Sequence, residues 1–142
     1  MKKVLIFVFS AVIVGLIISG YFYKKVKEEI NVKVISIFQT GVYATYDEAL
    51  SFSDSKNKIF YDGKLYHVYD SLVSSDKAKE KMIDYYTNKN IDYYVKEKYV
   101  SLSLYNDIDK YSKLIELSDN KTIELINNAM LEKYGEDILW VI

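Results

Sequence analysis

The sequence predicts an α+β fold: one sheet built in the order β-α-β-β-α-β, preceded by a transmembrane helix and followed by a helical extension. Three observations point to it. In KIFYDGKLYHVYDSLV, residues 58–73, two runs rich in aromatic and β-branched residues flank Asp62-Gly63, the pattern of a β-hairpin. Ala78, Met82, Tyr85 and Tyr86 recur at the i, i+4, i+7, i+8 spacing of one buried helix stripe. Val4 to Tyr23 runs for twenty residues without a charge.

That amino-terminal run, VLIFVFSAVIVGLIISGYFY, is about as long as a helix needs to cross ~30 Å of hydrocarbon. Lys2 and Lys3 precede it, Tyr21, Phe22 and Tyr23 stand at its exit, and Lys24, Lys25 and Lys27 follow. A cleaved signal peptide has a shorter apolar core closed by a small-x-small pattern, which Ser19-Gly20-Tyr21 fits poorly. Residues 1–27 therefore read as an uncleaved signal anchor with short flanks, and the lysines at both ends leave its orientation open.

After a spacer to Asn31, VKVISIFQTGVY (Val32 to Tyr43) reads as the first strand. Thr45 or Asp47 caps a short helix through about Ser53, with Ala49, Leu50 and Phe52 as its apolar side. In the hairpin, a two-residue turn at Asp62-Gly63 sets Tyr61 against Lys64, Phe60 against Leu65, Ile59 against Tyr66 and Lys58 against His67. Because faces alternate, Ile59, Tyr61, Tyr66 and Val68 share one side and read as core. Lys58, Phe60, Leu65, His67 and Tyr69 share the other and read as an aromatic platform with polar handles. Ser74, Ser75 or Asp76 starts the second helix, Asn88-Lys89-Asn90 ends it, and Ile91 to Leu104 returns as the last strand. This succession is the split-βαβ plan, ferredoxin-like or RNP-like. It puts the first and third strands at the centre, two helices on one face, and leaves the other face open.

Composition narrows the chemistry. The chain has no cysteine, which excludes disulfides, thiolate metal sites and thiol catalysis. Its one histidine, His67, excludes a multi-histidine metal site and leaves no catalytic triad without it. Charge is split: up to Glu29 there are five lysines against two glutamates, and beyond it fourteen lysines against eighteen acids. A mildly acidic domain with no arginine is a poor nucleic-acid binder. Asp47, Glu48, Asp62, Asp70 and Asp76 each have a local turn or cap role, so no carboxylate pair stands out for glycan cleavage. The expectation is a binding module: not an enzyme, with no cofactor, no metal and no nucleic acid.

Three blocks, FQTGVYATYDEAL at 38–50, YDGKLYHVYDSLVSSDKAKEKM at 61–82 and IDYYVKE at 91–97, resemble the signature of the SPOR (sporulation-related repeat) domain family. The resemblance covers roughly residues 34–100. It implies a module that binds peptidoglycan, preferring glycan strands stripped of stem peptides, carried outside the cytoplasm on a single anchor at the cell membrane. The positions matching the family's glycan-binding face are Gln39, Gly41, Val42, Leu65, His67 and Tyr94, and the platform residue Tyr69 joins them. His67 stands where the family carries arginine, Val42 where it often carries serine, and Ser71-Leu72-Val73 where it has Gly-Pro-Phe. Division, sporulation and general wall turnover are all compatible with such a module.

Residues 32–104 thus read as the SPOR-like domain and 105–142 as the helical extension. In the latter, Ile108, Tyr111, Leu114 and Ile115 stripe one helix. Ile123, Ile126, Met130 and Tyr134 stripe a second, started by Ser118 or Asp119 and stopped by Gly135. This hairpin either packs back on the sheet, even over its open face, or serves as a docking element for a partner protein with Trp140 as anchor.

Overall fold

The computed structural model describes residues 12–24 and 32–139. The chain forms two compact units, Met1–Val32 and Lys33–Ile142. In the first, residues 12–24 form a helix (α1) whose apolar side chains, from Val12 to Tyr23, are exposed. Residues 4–11 of the expected anchor lie outside the described residues. Among the described residues no helix is long and apolar enough to cross a membrane.

The second unit runs β1 (Val32–Tyr43), α2 (Tyr46–Phe52), β2 (Ile59–Tyr61), β3 (Tyr66–Val73), α3 (Asp76–Lys89), β4 (Tyr94–Ser101), α4 (Leu102–Leu117) and α5 (Asn120–Leu139). The strands form one sheet in the order β2-β3-β1-β4, with β1 and β3 at its centre. Caps fix where the helices begin. Thr45 and Glu48 make a reciprocal capping box on α2, and the Ser75 hydroxyl accepts from the Ala78 N–H of α3. Asn90 ends α3 in the left-handed region at φ 55°. The last strand stops at Ser101 rather than Leu104 because the Ser101 hydroxyl accepts from the Leu104 N–H and starts α4 there. That helix begins five residues before Asp107, where the sequence pattern turns helical.

The hairpin departs from its expected register. Tyr61 lies opposite Tyr66, Phe60 opposite His67 and Ile59 opposite Val68, so Asp62 to Leu65 form a four-residue loop. A two-residue type I′ turn needs φ > 0 at both central positions, and here only Gly63 has it, at 95°. The Asp62 carboxylate favours the wider loop, because its Oδ1 accepts from the backbone N–H groups of Lys64 and Leu65, each at 2.9 Å. A slip of two preserves the faces, so Phe60, His67 and Tyr69 still share one side.

That side is not open. Phe60, His67 and Tyr69 are 5%, 6% and 6% exposed, whereas Tyr61, expected in the core, is 50% exposed. Ile35, Ile37, Phe60, Tyr69 and Leu72 cluster with Ile108 of α4 and with Met130, Leu131 and Tyr134 of α5. On the opposite face, Phe38 and Val73 pack with the α3 stripe Ala78, Met82, Tyr85 and Tyr86. Ile115 and Ile123 join that second cluster, so α4 and α5 contribute to both. Short β2 explains how. It pairs β3 only as far as Val68, and α5 meets β3 beyond that point, where the Ser71 hydroxyl donates to Asn127 Oδ1 at 2.9 Å.

Gly135 does not stop the second C-terminal helix, which continues to Leu139. It lets α5 approach the sheet, because a Cβ at that position would overlap the Phe60 ring. Gly→Ala inside a helix ordinarily stabilises by about 1 kcal/mol. Gly135→Ala is instead expected to destabilise by about 1–3 kcal/mol through overpacking, with part of the loss recovered by adding Phe60→Leu. Chemical denaturation of the two variants measures this, and a stabilised single variant would contradict the close approach.

Candidate functional site

Two irregularities in the β1–β3 ladder shape the site. Phe38 lies opposite Ser71 and Gln39 opposite Tyr69, which leaves Asp70 as an extra residue on β3. Gly41 lies opposite Val68, which leaves Thr40 as an extra residue on β1. The Asp70 bulge turns its carboxylate toward Lys58 and Tyr86. Lys58 Nζ lies 2.5 Å from Asp70 Oδ1, and the Tyr86 hydroxyl donates to Asp70 Oδ2 at 2.7 Å. Lys58, expected on the platform, is only 4% exposed and is completed by Asp54 at 2.9 Å. This network is structural and lies apart from the candidate site.

The site itself is a cleft of about 630 Å³ on the Phe60–His67–Tyr69 face, between that part of β3, Ile37 of β1 and residues Tyr94 to Lys98 of β4. His67 is fixed on two sides: Gln39 Oε1 stands 3.1 Å from Nδ1 and Asp62 Oδ2 stands 2.8 Å from Nε2. Backbone donation from Leu65, then the His67 ring and Lys64, holds the Asp62 carboxyl well below the usual carboxylate range. Tyr69 stacks on Phe60 with centroids 5.2 Å apart, and burial, reinforced by the Asp62 charge, pushes its hydroxyl pKa up.

Of the residues singled out in the sequence, His67, Tyr69 and Tyr94 line the cleft, and Gln39 joins them through its bond to His67. Tyr94 is 61% exposed and presents its ring to solvent. Leu65 lies in the hairpin loop, half exposed, where its N–H serves Asp62. Val42 lies opposite His67 but is exposed beyond the cleft. Gly41 falls on the other face because of the Thr40 bulge, and the Tyr43 ring lies so close that a Cβ would collide with it.

Sequence reasoning missed Asp62 as the group that holds His67, and it missed Lys96 and Lys98. The alternation of Tyr94, Lys96 and Lys98 along one strand was the available signal, since alternate residues share a face. Lys96, Glu97 and Lys98 all line the cleft, and Glu97 also pairs with Lys79 of α3 at 3.4 Å. Comparison with descriptions of protein families, with curated proteins and with solved structures finds no match to this chain.

Proposed function

We propose that the chain is a divergent SPOR-like module that binds peptidoglycan glycan strands. It is held at the cell membrane by residues 4–23 with its folded unit outside the cytoplasm, and it brings the protein to sites of cell-wall remodelling. The cleft carries this reading: an exposed Tyr94 ring faces a buried wall of His67 and Tyr69 whose geometry is locked by Gln39 and Asp62. Sugar rings stack their apolar C–H faces on aromatic rings, and their hydroxyls take hydrogen bonds from groups such as a phenol or an ammonium. Both His67 nitrogens already face protein oxygens, so His67 orients the wall and Tyr94 makes the contact.

The strand order β2-β3-β1-β4 supports the ferredoxin-like plan that the resemblance implies. The exposed apolar helix at 12–24 supports an anchor, since such a surface calls for lipid or protein to cover it. The test is co-sedimentation of the full chain, in detergent, with sacculi stripped of stem peptides by an amidase. The wild type is expected to pellet, Tyr94→Ala to lower the bound fraction at least about five-fold, equivalent to ~1 kcal/mol, and Phe52→Ala, exposed on the other face, to bind as wild type. A wild type that stays in the supernatant overturns the reading.

A second reading, a membrane-tethered module that docks a protein through α4 and α5, is favoured by exposed Leu114, Leu117 and Leu125 on those helices. Tyr94→Ala separates the two, because it leaves the α4–α5 surface untouched.

A further inference from the structure

We infer that a row of aromatic rings on the α2 side of the sheet docks a short proline-rich segment of another protein, held in the polyproline-II conformation. The row lies on the face opposite the cleft, so this surface is independent of the glycan reading.

Tyr43 of β1 lies opposite Tyr66 of β3, and Tyr66 lies opposite Tyr61 of β2. Directly opposed residues share a face, so the three tyrosines form one row across three strands, about 10 Å long at ~4.8 Å per strand. The short helix α2 adds two rings. Phe52 stacks on Tyr43 with centroids 5.3 Å apart and planes 5° from parallel, and Tyr46 meets Tyr66 edge-on at 5.9 Å. Tyr61 and Tyr66 stand 4.7 Å apart. Gly41 belongs to the arrangement, because the Tyr43 ring occupies the space that a Cβ there would need.

These rings are not core. Phe52 is 73% exposed, Tyr61 50% and Tyr46 38%, and Ala49 is the one buried residue of α2. Among the described residues no tyrosine hydroxyl of the row has a hydrogen-bond partner. The exposed part of the row is about 400 Å² at ~200 Å² for a whole aromatic side chain. That is the size of a functional patch on a monomer, and about half of the ~800 Å² that each partner gives to a standard interface. A second copy is therefore a poor occupant.

A sugar needs a ring face lying open. Apart from Phe52, the row offers solvent a succession of edges and hydroxyls, because each ring packs on a neighbour. A polyproline-II segment suits that surface. Its pyrrolidine rings pack on aromatic side chains, and its carbonyls, which have no internal partner, accept from donors such as a phenol. With Phe52 beyond Tyr43 the row is about 15 Å long, which five residues of polyproline II cover at ~3.1 Å each. The helix α2 that walls the row carries Asp47 and Glu48 and no lysine, so a basic residue flanking the prolines complements it. This chain has no proline, so a further copy of it cannot supply the segment.

The probe is a fluorescent decaproline ending in two lysines, titrated with the full chain in detergent and read by anisotropy. Comparison peptides replace every proline by alanine, or the two lysines by glutamate. The variants are Phe52→Ser and Tyr61→Ser in the row, and Tyr99→Ser, whose ring is 61% exposed outside it. The expected result is saturable binding of the probe, at least ten-fold weaker for the alanine peptide and three-fold weaker for the glutamate peptide. Each row variant should weaken the probe at least five-fold, and Tyr99→Ser should bind as wild type. No binding, equal binding of the alanine peptide, or unchanged binding by both row variants overturns the proposal. Binding of tetra-N-acetylchitotetraose in place of the peptide, lost in Phe52→Ser, overturns it in favour of a sugar. Self-association lost in Phe52→Ser, without peptide binding, overturns it in favour of a second copy.

Discussion

Removing residues 105–142 is expected to leave a chain that does not fold. The segment reads as an appendage because the β-α-β-β-α-β succession is already complete before it. Its side chains nevertheless fill both clusters: Ile108, Met130, Leu131 and Tyr134 on one face, Ile115 and Ile123 on the other. At roughly 1.5–3 kcal/mol for each fully buried apolar side chain, their loss removes on the order of 10 kcal/mol. Domain stabilities are themselves only about 5–15 kcal/mol. Truncation also uncovers Phe60, Tyr69 and Leu72 and leaves the Ser71 hydroxyl without Asn127. Circular dichroism and amide exchange of the truncated chain measure the outcome. A cooperative unfolding transition retained by the 1–104 chain would show that the sheet stands alone with α2 and α3.

That dependence marks what the sequence made legible. Elements with strong periodicity and a local cap could be read: the α3 stripe of Ala78, Met82, Tyr85 and Tyr86 is buried in full, and the caps are Thr45 of the pair Thr45 or Asp47, Ser75 of the three candidates Ser74 to Asp76, and Asn90 of Asn88-Lys89-Asn90. Legibility failed where a long-range contact decided the outcome. Gly135 has the local look of a C-terminal stop, yet its reason is a phenyl ring seventy-five positions earlier in the chain. Phe60, His67 and Tyr69 were correctly placed on one face, but which face would be covered depended on α5. Alternation assigns residues to faces and is silent on what packs against each.

The candidate site shows the same division. Gln39 and His67 could be brought together from the expected strand neighbours, and they are bonded at 3.1 Å. Gly41 could not be placed, because a single extra residue at Thr40 reverses every side chain after it. Lys96 and Lys98 were not singled out, because alternation along the last strand puts them on one face and says nothing of a cleft there.

The Asp70 bulge leads to the other large expected effect. Lys58 is buried with Asp70 at 2.5 Å, and the Tyr86 hydroxyl bonds the second oxygen of the same carboxylate. Asp70→Ala leaves the Tyr86 hydroxyl without its acceptor and the buried Lys58 ammonium with Asp54 alone, and breaking a buried pair from one side costs about 3–5 kcal/mol, with Asp54 holding the loss to the lower end. Replacing the whole network by Lys58→Met/Asp70→Leu/Tyr86→Phe removes the stranded groups as well, so that variant is expected to recover most of the loss. The two results differ in sign of recovery, which a cavity alone would not produce. Burial works against the Lys58 ammonium, but the Asp70 and Asp54 carboxylates outweigh it and raise its pKa above 10.5. A folded-state pKa above the unfolded one contributes stability that is complete below about pH 10.5 and is lost as pH rises through the folded value. Wild type should therefore lose stability on that alkaline limb, while the triple variant, which has no lysine there to titrate, should lack that component. Urea titrations across the alkaline range decide it. A triple variant as unstable as Asp70→Ala, or with the wild-type alkaline slope, would show that the ion pair is not what holds the bulge in place.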